Sequence, residues 1–134
     1  MKNKSKRSSG LLGKAGSAPV PQKLLFSFKD FDNTQGQTFS QWERESLLGL
    51  MLDKLSEYSK MTRPEAEKAK FRVYGSFPPR STFRHPKYIA EDAEWASMHI
   101  QGKECIAGHV IGNVFYIVFL DKDHKFWITE KKHT

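Results

Sequence analysis

The chain of 134 residues has a single cysteine, Cys105. One thiol excludes an intramolecular disulfide framework and any structural zinc site built from several cysteines. No apolar run reaches the roughly 18 residues of a membrane-spanning helix. Leu11-Leu12, behind a basic N-terminus, is too short for the core of a signal peptide. Several catalytic signatures are also missing. There is no phosphate-cradling loop after a strand, no dinucleotide fingerprint, no Gly-x-Ser-x-Gly elbow and no zinc-deaminase pattern. These absences lead to an expectation of a cytoplasmic protein that needs no cofactor and has no membrane partner.

Acidic residues are missing from two stretches. Residues 1–23 carry Lys2, Lys4, Lys6, Arg7, Lys14 and Lys23 without an acid, and residues 68–90 carry Lys68, Lys70, Arg72, Arg80, Arg84 and Lys87 without one. Elsewhere acids outnumber bases, although the whole chain has a net charge of +7. Two basic blocks on a near-neutral background point to a polyanionic partner, of which nucleic acid is the commonest. A solubilising tail plus an ordinary surface stripe is the plainer alternative.

Aromatic residues are plentiful, at 13% with ten phenylalanines, so most of the chain can bury a core. Residues 1–22, rich in Lys, Ser, Gly, Ala and Pro, read as a flexible arm that orders on RNA or a partner, or stays an unstructured leader. Residues 23–134 read as a single domain. Leu24, Phe26 and Phe28 alternate as in a strand. Ser40 and Glu43 have capping-box spacing. Leu47, Leu48, Met51, Leu52, Leu55 and Tyr58 then predict one amphipathic helix of about five turns. Thr62, Glu65 and Pro64 mark the start of a second, short helix. From Trp95 onward the pattern is all strand, with turns expected at Gln101-Gly102, Gly112-Asn113 and Lys122-Asp123. The expected fold is α+β: an antiparallel sheet of four to five strands, with strands near 95–100, 103–111, 114–121 and 124–129, and a long and a short helix on one face.

Those turns fix a register, and the register fixes the faces. Trp95, Ile106, Gly108, Val110, Phe115, Ile117, Phe119, Phe126 and Ile128 are expected beneath the helices, with Trp95 covering Gly108. The other face is expected to carry Lys103, Cys105, Ala107, His109, Tyr116, Val118, Leu120, Lys125, Trp127 and Thr129. Left open, such a face suits single-stranded RNA. Covered by the Pro-rich loop 75–86, it becomes a second buried layer in which His109 simply bonds to Tyr116.

Cleaving RNA requires a base for the 2′-hydroxyl, cations around the phosphorus and an acid for the departing oxygen. His85, His109, His124 and Tyr116 are the candidate proton-moving residues. Arg80, Arg84, Lys87 and Lys125 are the candidate phosphate ligands, and Trp127, with Tyr116, can stack on bases. Cys105 and His109 share a strand face but lack a third ligand, so no metal site is expected.

The block Val114-Phe115-Tyr116-Ile117-Val118-Phe119-Leu120-Asp121-Lys122-Asp123-His124-Lys125-Phe126-Trp127 resembles the penultimate strand, tight turn and last strand of RelE/ParE-type toxins. The order strand, long helix, short helix, meander resembles them too. The resemblance implies a metal-independent endoribonuclease acting on ribosome-bound mRNA and neutralised by an antitoxin. It carries the site onto His109, Tyr116, His124, Lys125 and Trp127. The strand Glu104-Cys105-Ile106-Ala107-Gly108-His109 departs from the family pattern, which has arginines there, and Arg80 and Arg84 are the substitutes available. The alternative is a non-catalytic nucleic-acid-binding or protein-interaction subunit of a toxin or defence complex.

Overall fold

A computed structural model describes residue 20 and residues 22–128, so nearly all of the expected arm lies outside the described residues. The fold is α+β. Strand β1 (Leu25–Ser27) is followed by helices α1 (Phe39–Arg44), α2 (Leu48–Tyr58) and α3 (Arg63–Lys68). Strands β2 (Phe71–Gly75), β3 (Glu94–Gln101), β4 (Glu104–Ile111) and β5 (Val114–Asp121) complete it. The five strands form one sheet in the order β1-β5-β4-β3-β2. It is mixed rather than wholly antiparallel, because β1 runs parallel to β5.

The expected long helix is two helices. The first capping box uses Thr38 and Gln41, two residues before the expected pair. Trp42, fully buried, donates its indole N–H to Gln37 Oε1 and anchors α1 independently. The chain then breaks at Ser46, whose φ of 62° is left-handed, before α2 begins. The second capping box, Thr62 with Glu65 and Pro64 in the first turn, forms as expected. Met51, Leu55 and Tyr58 of α2 pack with Phe71, Met98, Ile106, Phe115 and Ile117 into the larger core.

Register decides what lies on the opposite face. The Gly112-Asn113 hairpin pairs Val110 with Phe115 and Gly108 with Ile117, as the turn predicts. Val118 is then left without a partner, so Phe119 pairs with Ala107 and Leu120 with Ile106. This bulge carries Phe119 away from the helices. Gly108 permits it, since a Cβ there would stand 1.8 Å from the Tyr116 carbonyl oxygen. The bulged Val118 carbonyl accepts the Asp32 N–H. A second shift, between His99 and Gln101, places the β3–β4 turn at Gly102-Lys103 and pairs Trp95 with His109 rather than Gly108.

Trp95, Phe119 and Phe126 therefore belong to a second core, with Phe83, Ile89, Ala107 and Val118, and with Phe77 and Trp127 at its margin. The expected open face is thus covered, because loop 76–90 and segment 122–128 close over it. No strand forms over 124–128, and Thr129 lies outside the described residues. The reason is Asp121. Its buried carboxylate accepts the Lys125 and Phe126 N–H groups, turning the chain back instead of extending it.

A basic, aromatic groove beside the outer strand

The expected site residues separate into distinct places. His109 is 6% exposed. Its Nε2 bonds to Asp30 Oδ2 at 2.9 Å, and its ring stacks on Tyr116 with 4.8 Å between centroids. Lys29 lies beside Asp30 and over the Tyr116 ring. Burial raises the Asp30 pKa, but hydrogen bonding to His109 and Lys29 and the charges of both outweigh it and hold the carboxyl below its ordinary value. His85 lies on the other side of Trp95, and its Nδ1 is bonded to the Pro86 carbonyl. His85 Nε2 and His109 Nδ1 are buried without a hydrogen-bond partner among the described residues. These two histidines flank Trp95 in the second core and do not meet His124.

The basic loop residues also spread out. Arg84 exchanges backbone hydrogen bonds with the Gln35 side chain, and its charge acts on Asp32. Lys125 presents its carbonyl to the Thr82 N–H. Arg80 and Lys87 are exposed along the loop.

His124 and Trp127 meet a different set. Asp121 and the left-handed His124 (φ 60°) form a turn. Lys122 pins that turn to the two ends of α1 through its N–H to Gln37 and its ammonium to Glu45. His124 is thereby set against His99 of β3, with ring centroids 5.3 Å apart. Trp127 stacks on Tyr74 of β2 at 4.4 Å and 6°. The Tyr74 hydroxyl meets Ser97 Oγ at 2.8 Å.

Lys70, Arg72, Tyr74, Ser97 and His99 line a groove of about 450 Å³ along β2, one of the two edge strands. Glu67, also in its wall, is paired to Arg63. Among the described residues, neither Lys70 nor Arg72 has an ion-pair partner. Burial first, then the charges of His124, Lys70 and Arg72, push His99 below its ordinary pKa. Burial chiefly, opposed by the bond to Ser97, raises Tyr74 and keeps its hydroxyl protonated. Cys105, across from His99, is inert, because burial and the Asp121 carboxylate push its thiol far up. Among the described residues no cluster of His, Cys, Asp and Glu could hold a metal.

Lys70, Arg72 and His99 were not among the expected site residues, although Lys70 and Arg72 belong to the second basic block. The available signal was alternation, which puts Trp95, Ser97 and His99 on one face of β3.

Fold and groove together define the chain as a small basic α+β protein with a cationic, aromatic surface channel. No family model, curated protein or solved structure matches it. Among the described residues no helix is long and apolar enough to cross a membrane.

Proposed function

We propose that this protein binds single-stranded RNA in the groove beside β2. One observation carries the reading: two cations without ion pairs among the described residues, Lys70 and Arg72, line the same channel as His99, next to His124 and the Tyr74–Trp127 stack. Cations at a channel hold phosphates, and a half-exposed indole offers a face to any unpaired base. A duplex keeps its bases stacked inside and cannot use that face. The order strand, helices, meander favours kinship with RelE/ParE-type toxins, although the last strand of that resemblance does not form over 124–128. That kinship would make mRNA on the ribosome the RNA and add an antitoxin as partner.

The test is fluorescence anisotropy of an end-labelled single-stranded RNA over a salt series. The wild-type protein is expected to bind with steep salt dependence. Lys70→Ala with Arg72→Ala should weaken binding roughly tenfold and flatten the salt slope by about 1.4, since each contact on a single strand contributes about 0.7. Equal binding by the double variant would remove the groove from the reading.

The second reading is a protein-interaction subunit. The outer position of β2 favours it, because an added strand can pair there. It predicts no RNA affinity.

A further inference from the structure

Resting on RNA binding in this groove, we infer that His99 and His124 are an acid–base pair that cuts the bound strand. They are the only two histidines among the described residues whose rings adjoin each other, at 5.3 Å and 32°. Both are half-buried, His99 in the groove wall and His124 against it, unlike His109, which is committed to Asp30, and His85, which is committed to Pro86. They reach the site from different elements: His99 is fixed in β3, and His124 is fixed by the turn that Asp121 builds.

Adjacent imidazoles over one phosphodiester have the two capacities that strand transfer needs. Neutral His99 takes the proton of a ribose 2′-hydroxyl. The 2′-oxygen attacks the phosphorus, and the bond from phosphorus to the 5′-oxygen breaks. His124 gives a proton to that leaving oxygen. The products are a 2′,3′-cyclic phosphate and a free 5′-hydroxyl. One proton is gained by His99 and one lost by His124, and exchange with water resets both. No metal or co-reactant enters the balance. Lys70 and Arg72 oppose the negative charge that builds on the phosphorane oxygens. The base is assigned from its surroundings: His99 lies in the groove wall with Lys70 and Arg72 and against His124, and burial first, then those three charges, favour its neutral form. The remaining titratable groups nearby are Tyr74, which stays protonated, Glu67, paired to Arg63, and Cys105 with Asp121, which follow His99 across the ladder on the same face of the sheet.

The test is single-turnover cleavage of a labelled single-stranded RNA at saturating protein, in EDTA, with end-group analysis. His99→Gln and His124→Asn are the variants, because Asn tolerates the left-handed backbone at 124. Thermal unfolding confirms that each is folded. The wild-type protein should leave cyclic phosphate and 5′-hydroxyl ends with a bell-shaped pH profile. Each variant should lose about 100-fold or more in rate and one limb of that profile. RNA with 2′-deoxyribose throughout should bind and stay intact. RNA that binds but is not cut overturns the cleavage inference alone, as does cutting that survives in both variants or in the deoxy strand. RNA that does not bind overturns the groove reading as well.

Discussion

The imidazole of His124 rests against that of His99, although one belongs to a turn after the last strand and the other to β3, an inner strand of the sheet. The link is Asp121, whose two carboxylate oxygens accept the N–H groups of Lys125 and Phe126. Everything placed at the groove from the C-terminal side depends on that buried side chain.

Asp121→Ala should therefore cost stability and site geometry together. One buried and one part-buried N–H group lose their acceptor, for a loss of about 3 kcal/mol in urea unfolding. The Trp127 emission should shift as its stack on Tyr74 loosens. An unchanged unfolding midpoint would contradict the role given to Asp121.

Glycine substitutions separate the bulge from ordinary helix propensity. Gly108→Ala puts a methyl into the Tyr116 backbone and should destabilise the fold by several kcal/mol or prevent folding. Gly49→Ala, in α2 with open space around it, should stabilise by about 0.5–1 kcal/mol. Denaturant midpoints of the two variants should move in opposite directions.

The bond between Asp30 and His109 has an acid signature. The folded-state pKa of Asp30 lies below the ordinary 3.8, so the unfolded chain takes up this proton first. The stability contributed by Asp30 is present above that value and disappears as pH falls through the folded pKa. Wild-type and Asp30→Asn proteins compared in urea should differ near neutrality and converge at strongly acidic pH. A gap that stays constant across the acid range would refute the assignment.

Cys105 should resist alkylation in the folded protein and react at once in denaturant. Its thiol is 2% exposed and is held protonated by burial and by Asp121. Rapid labelling of the native chain would show that β4 opens.

Local signals were the legible part of the fold. The Thr62 capping box and the Gly112-Asn113 hairpin each depend on neighbours in sequence, and each formed as expected; of the expected apolar stripe, Met51, Leu55 and Tyr58 are buried while Leu52 is exposed. What could not be read was a pair of one-residue slips. The bulge at Val118 and the turn at Gly102-Lys103 each move a large aromatic, Phe119 or Trp95, to the opposite face. A period of two carries no record of where it is interrupted. The same slips explain the candidate site. His124 and Trp127 were found by residue type, whereas their partners His99, Arg72 and Tyr74 come from strands whose adjacency only the sheet order reveals.

The most direct test of the central claim is a ¹⁵N-resolved NMR titration of the wild-type protein with single-stranded RNA. The groove account predicts shifts concentrated at Lys70, Arg72, Tyr74, His99, His124 and the Trp127 indole, with His109 and His85 unmoved. Shifts confined to Arg80, Arg84 and Lys87, or none at saturating RNA, would contradict it.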